Sequence, residues 1–479
     1  MTDTTPAPTR LRPTDLKEVR DAVLDSAGAL GVVGAGTAAG WAGTPAPVDA
    51  VLDLAGLTGI IVHNPGDMTV AVRAGTALRD LNAELAEHGQ HVAFDAARVA
   101  DGATLGGLLS TGDAGPGAIV FGTLRDLVIG ATMVLADGTV ARSGGHVIKN
   151  VAGYDLTKLV HGAYGTLAVV AEVVLRLHPL PRAVATVVLP CTLDEVAGHA
   201  ARVLGSPVEP AALEWVSDPV TAPAGPDGDP DASASTGTLL VRLEGTDAAL
   251  PARVERLREL LGAGAEDASV AAARPTAAAR GGTAPDGARG GIAPDGVDVG
   301  ATPATGGASG TGPAAGDAVG ATPAAGANVG TGPAAGDAVV GATPPTGGAG
   351  PPAGRVVDGD AWSTHARLTR GTLDDMVLRL GVRPSRLPEV LRALAARSVT
   401  AGLGTGVATV VLPPEPDAVQ AAHATVHAAG GTSVLRHRPA GSAAPAWGPA
   451  PSALPVLRAL KRTLDPSARL EPGRFAPWF

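Results

Sequence analysis

Apolar positions recur along the chain with two periods. Leu16, Val19, Val23 and Leu24 follow Pro13-Thr14-Asp15, and this spacing predicts a capped amphipathic helix ending near residue 27. Leu78, Leu81 and Leu85 make one face of a second helix over 78–87, with Thr76 as its cap. Short apolar runs bounded by turn residues predict strands at 30–33, 48–54, 59–62 and 69–73, with Pro65-Gly66-Asp67 turning between the last two. Residues 128–136 and 139–142 flank Asp137-Gly138, a hairpin signal. The run 167–177 is almost wholly apolar and reads as a long buried strand closing at His178-Pro179. Beyond Pro181, strands at 183–189, 239–243 and 408–412 accompany helices at 193–204, 250–261, 387–396 and 420–428, with ordered segments at 366–369 and 372–380, so a second α+β domain is expected.

The pattern fails between residues 263 and 354. ATPATGGASGTGPAAGDAVG at 301–320 nearly repeats at 321–341, and the repeats lack aromatic or leucine side chains to bury. Ala, Gly and Pro cannot offset the entropy of ordering such a segment, so a disordered insertion is expected. The 479 residues exceed one typical core, which again implies two domains. A net charge of -10 argues against a nucleic-acid partner. The single Cys191 excludes an internal disulfide, a four-thiolate iron–sulfur cluster and a cysteine-rich zinc site. No leader and no membrane-spanning run is read, so the expected location is cytoplasmic, with any membrane contact made through a partner.

Three glycine-rich segments carry the candidate chemistry. Gly34, Gly36 and Gly40, with Asp53 downstream, imitate a dinucleotide fingerprint, but Pro45 and Pro47 forbid the crossover helix that fingerprint requires. The glycines therefore form a loop between strands. No Lys or Arg occurs between residues 29 and 60, so a phosphate there would rest on successive backbone N–H groups; a ligand-free turn is the alternative. Residues 104–116 are the second segment. In the third, Lys149-Asn150-Val151-Ala152-Gly153-Tyr154-Asp155-Leu156 leads to Gly162-Ala163-Tyr164-Gly165-Thr166-Leu167.

That third string resembles flavoproteins of the vanillyl-alcohol oxidase (PCMH-type FAD-binding) superfamily, and within it the FAD-binding subunits of bacterial glycolate oxidase. The resemblance runs from about residue 13 to 181 and returns at 460–475. It implies an α+β chain: a PCMH-type domain of two α/β subdomains at 1–182, and a smaller α+β cap-like domain. The cap would be split into 183–262 and 355–454 by the insertion at 263–354, and residues 455–479 would return to the first domain.

The implied cofactor is noncovalent FAD. Gly34, Ala35, Gly36, Thr37 and Ala38 would contact it from the first loop. The second loop would add Thr104, Gly106, Gly107, Ser110, Thr111, Gly112 and Gly115. Lys149, Asn150, Gly153, Gly165, Thr166 and Val169 would come from the third. Asp113 should point outward, or this loop contacts less of the cofactor than usual, and Arg125-Asp126 reads as a local ion pair at a strand start. No catalytic constellation is legible; Lys149, His146 and Arg474 are the candidates, with Lys149 placed near the flavin ring by the resemblance. Glu471 stands where Asn is usual.

His423 and His427 have a spacing at which both could face one metal, but no acidic third ligand is near and Thr432 replaces a familiar histidine, so no metal is expected. The implied function is oxidation of a small 2-hydroxy acid within a glycolate-oxidase-like complex. A second flavoprotein subunit would be the seat of substrate oxidation and an iron–sulfur subunit would carry the electrons. A stand-alone FAD-dependent 2-hydroxy-acid or alcohol dehydrogenase and a non-catalytic FAD-bearing scaffold are the alternatives.

Overall fold

The computed structural model describes residues 7–146, 155–218, 235–262, 266–272 and 361–479. The described residues belong to one compact unit, 1–276 with 357–479. Most of the expected insertion therefore falls outside them, as do Lys149, Asn150 and Gly153.

Two larger sheets build the first domain, beside a two-stranded pairing of Gln90–His91 with His178–Pro179. A parallel sheet runs Thr9–Leu11, Ala50–Asp53, Leu30–Val33, and an antiparallel sheet runs Ile60–Asn64, Thr69–Arg73, Val169–Arg176, Val128–Val134, Val140–Gly144. Val19 and Val23 of the helix Leu16–Asp25 share one core with Leu30, Leu52, Val134, Val169 and Ala171, so that helix joins the sheets. Asp15 caps it by accepting the Glu18 N–H at 2.8 Å, as its sequence predicts. The helix Leu78–Ala86 buries Leu78, Leu81 and Leu85, but its N-cap is Ala77. Thr76, read as that cap, instead accepts the Gly59 N–H at 2.9 Å, a tertiary bond that outcompetes the local one.

The second domain is one eight-stranded sheet in the order Glu266–Ala272, Ala183–Thr192, Thr236–Gly245, Ala212–Ser217, Ser398–Gly402, Val407–Leu412, Met376–Gly381, Thr432–His437. Strand alternation sorts its side chains. Leu213, Trp215, Leu239, Val241, Leu378, Val399, Val410 and Leu435 enter the core beneath helices that contribute Val196, Val203, Val254, Leu391, Val419 and Val426. The intervening positions Glu214, Arg242, Arg379, Thr400, Thr409 and Arg436 are excluded from that core and form a polar face. The first domain meets this face, with Arg242 on Asp95 at 2.8 Å and Arg436 on Asp113 at 2.8 Å.

After the helix Leu454–Leu464 the chain returns to the first domain, as the resemblance implies. Leu470 bridges Leu30 in parallel, and Pro472 O and Arg474 O accept the Ala46 and Gly43 N–H groups. Cys191 is buried, and burial pushes its thiol up to about 11, which suits an inert core residue. Among the described residues no helix is long and apolar enough to cross a membrane.

Candidate functional site

A cavity of about 310 Å3 opens where the two sheets of the first domain meet the returning C-terminus. Residues 34–38 form one wall, directly after the strand Leu30–Val33. Beyond them, Ala39 and Trp41 donate to Gly36 O and Ala38 O in a turn. Among the described residues, the N–H groups of Gly34, Ala35, Gly36, Thr37 and Ala38 find no acceptor. Five consecutive amides without acceptors beside a cavity make the concave donor set that holds phosphate oxygens.

The opposite wall comes from the helix Leu105–Thr111, capped by Thr104, which accepts the Gly107 N–H at 3.2 Å. Two glycines explain the close approach of the walls. A Cβ on Gly34 would stand 2.3 Å from Thr104 Oγ1, and one on Gly106 would meet Ala74 Cβ at 3.0 Å.

The expected contact residues separate into groups. Thr104, Gly106, Gly107, Ser110, Thr111 and Gly165 line the cavity with residues 34–38. Gly112 and Gly115 do not: Gly112 ends the helix with φ 59° against Gly162, and Gly115 packs on the Asp95 backbone. Thr166 and Val169 are buried behind the wall, where Thr166 O accepts from Lys461 Nζ at 2.7 Å; their neighbours Ala168 and Val170 reach the cavity instead. His146 lies away from it, with Nδ1 3.2 Å from Thr69 Oγ1 and 3.3 Å from Asn64 Nδ2. Lys149, Asn150 and Gly153 lie outside the described residues.

Arg474 lines the cavity but is heavily committed. Its guanidinium donates to Glu471 Oε2 at 2.8 Å, Ala39 O at 2.8 Å and Trp41 O at 3.0 Å. Glu471 in turn accepts the Val32 N–H at 2.5 Å. The acid standing where Asn is usual thus clasps the C-terminus to the first loop.

Sequence reasoning missed Arg98. It is buried and bridges both glycine loops, donating to Thr37 Oγ1 at 2.9 Å and Thr111 Oγ1 at 3.0 Å. Its Nε donates to Asp113 at 3.1 Å, and Arg436 donates to the other Asp113 oxygen at 2.8 Å. Both guanidinium groups also lie over Trp41, at 3.9 Å and 3.7 Å from its ring centroid.

Asp113 does not line the cavity, as expected, but neither does it face solvent. Burial works against its charge, yet Arg436, Arg98 and Arg379 outweigh burial and bring the carboxyl down to about 2. Asp126, read as an ion-pair partner of Arg125, instead completes a capping box with Thr123 at the start of the short helix Leu124–Leu127.

His423 and His427 do not face one metal. His423 is buried with both ring nitrogens engaged, by Ser433 Oγ at 2.7 Å and Pro445 O at 3.1 Å, whereas His427 is exposed.

A family model described as an FAD binding domain matches residues 8–144. The chain is 38% identical over 132 residues to glycolate oxidase subunit GlcE of Escherichia coli, an alignment covering 28% of this chain and 38% of that protein. It is 38% identical over 117 residues to glycolate oxidase subunit GlcD of Bacillus subtilis, covering 24% of this chain and 25% of the relative. Identity to the D-lactate dehydrogenase of Archaeoglobus fulgidus is 33% over 184 residues, covering 38% and 41%. The chain thus spans less than half the length of each of these curated relatives. Alkyldihydroxyacetonephosphate synthase has a similar fold, with a TM-score of 0.57 at 13% identity over 97% of this chain and 75% of that one. The match over residues 8–144 marks an FAD-binding domain, and FAD is the cofactor it indicates.

Proposed function

We propose that the glycine-walled cavity holds FAD noncovalently, with its diphosphate on the amides of residues 34–38. The chain then works as an FAD-linked oxidoreductase acting on a small 2-hydroxy acid. The observation that carries the placement is the run of five amides without acceptors beside walls that only glycine permits. Arg98 adds a fixed positive charge to the same cavity and, through Thr37 and Thr111, sets the spacing of its two walls. No His or Cys lines the cavity among the described residues, which favours a dissociable cofactor. Bound there, FAD supplies a two-electron acceptor. Lys149, Asn150 and Gly153 keep the roles the resemblance implies as candidates. Arg474 acts by holding the first loop rather than as a free cation.

The substrate class is supported by the names of the relatives, which are glycolate oxidase subunits and D-lactate dehydrogenases. Onward electron transfer falls to partners, because one cysteine cannot hold a four-thiolate cluster. We infer a second flavoprotein subunit and an iron–sulfur subunit in a glycolate-oxidase-like complex, and a cytoplasmic location with membrane contact through that complex. The purified chain should show flavin absorbance that moves to the supernatant on acid precipitation, and sustained turnover of glycolate or D-lactate should require the partner subunits. Flavin retained in the pellet would refute noncovalent binding; failure of every 2-hydroxy acid, with partners present, would refute the substrate class.

A further inference from the structure

A second cavity, of about 280 Å3, lies between residues 114–126 of the first domain and the polar face of the eight-stranded sheet. It begins close to the first: Ser110 and Thr111 line one cavity, and Ala114 of the same loop lines the other. Arg379, Glu214, His365 and the threonines at 369, 400, 405 and 409 line it, so its chemistry is polar and charged.

The charges there are unevenly matched. Arg379 has five N–H donors, and among the described residues only two hydrogen bonds engage them, to Thr409 Oγ1 at 3.4 Å and Ala114 O at 3.3 Å. The neighbouring carboxylate, Asp113, is taken by Arg98 and Arg436. Glu214 is engaged by His365, whose Nε2 is 3.1 Å from Oε2, with both residues 6% exposed. Three arginines thus surround one aspartate, and Arg379 carries the excess into the cavity. Burial, with Arg436 adding to it, lowers the Arg379 pKa to about 10, which leaves the side chain cationic at neutral pH. A half-buried guanidinium without a carboxylate partner is completed by a bound anion at lower cost than by water alone.

We propose that this cavity binds a small carboxylate, seated on the Arg379 guanidinium, and that the Glu214–His365 pair accepts the proton of the 2-hydroxyl group. The anion site stands on the geometry alone, whereas the proton step rests on the function proposed above. In that step the O–H proton passes to the imidazole, and the Cα–H bond breaks with its hydrogen and electron pair going to oxidised FAD. The C–O bond becomes C=O, giving the 2-oxo acid and FAD reduced by two electrons. The resemblance implies that oxidation happens in a partner subunit; this cavity provides a site within the chain itself. Its volume suits an acid of a few carbons, and its charged residues lie outside the three glycine segments.

Oxalate is the probe, because it is a small carboxylate with no Cα–H to surrender. Calorimetric titration of the full chain, with and without FAD, should detect oxalate binding that Arg379→Met weakens by about 10- to 100-fold and Arg379→Lys restores in part. Unchanged affinity in a folded Arg379→Met protein would overturn the anion site. His365→Gln and Glu214→Gln should keep oxalate affinity within about threefold. They should slow anaerobic flavin reduction by glycolate about 100-fold or more.

The charged groups around His365 are Glu214 in hydrogen-bond contact, Arg379 and Asp126 on the same cavity, and Arg242, which lies over Trp362 at 5.1 Å. Full-rate reduction by either variant would overturn the proton role. Arg379-dependent oxalate binding without reduction by any 2-hydroxy acid would leave the anion site standing and remove the proposed substrate class.

Discussion

Replacing Asp113 by Asn should destabilise the protein strongly, although Asn fills nearly the same space. The Asp113 side chain is 3% exposed, and its ion-pair partners Arg98 and Arg436 are 5% and 6% exposed. Deleting the charge leaves two guanidinium groups buried without their counter-ion, which typically costs about 3–5 kcal/mol. The carboxyl itself gives a second figure. Holding it at about 2 against an ordinary 3.8 corresponds to roughly 2–3 kcal/mol of stability at neutral pH.

The pKa is depressed, so this contribution is fully present above pH ~4 and disappears as the pH falls through ~2. Denaturant unfolding followed by tryptophan fluorescence should therefore separate Asp113→Asn from the parent by about 2–5 kcal/mol at pH 7, with the gap narrowing below pH 4. Apoprotein is the right material, since the cluster adjoins the cofactor cavity and flavin loss would confound the result. A difference under about 1 kcal/mol at pH 7 would refute the view that the aspartate neutralises this cluster.

Gly36→Val should yield folded protein with little flavin: Gly36 has φ 74°, which costs a β-branched residue about 1–2 kcal/mol locally, and the side chain would enter the cavity. The flavin-to-protein absorbance ratio after gel filtration checks this, and an unchanged ratio contradicts it. Burial lowers the His91 and His161 pKa values to about 4, so each favours folding fully above pH ~6.5 and loses that contribution as the pH falls through ~4. His161→Gln should accordingly flatten the melting temperature against pH between 6.5 and 4, whereas a parallel curve would show that His161 does not titrate there. Replacing residues 277–356 by a short Gly-Ser linker should preserve flavin stoichiometry, because their sequence offers no core and the flanking strand Glu266–Ala272 and helix Ala361–Arg370 both belong to the second domain; loss of FAD on deletion would refute that.

The sequence by itself determined the elements whose signals are local. The helices Leu193–Leu204 and Leu250–Leu261 begin and end where the sequence pattern predicts, and the first has a Thr192–Glu195 capping box completed within four residues. The strand Thr69–Arg73 and the turn at Asp137-Gly138 were legible for the same reason, as was the first glycine loop, whose prolines rule out a crossover helix. Thr76 shows the limit: a residue with sound local cap chemistry took a partner 17 positions away.

The charged centre lay wholly beyond local reading. Asp113 and Arg436 are 323 residues apart, and Glu214 and His365 are 151 apart. Strand alternation could assign Arg379 and Arg436 to the non-core face of a sheet, but which surface would cover that face was decided only when the two domains packed. Burial then turned ordinary surface residue types into a matched aspartate and an arginine in need of an anion, because removing water makes the pairing of each charge decisive.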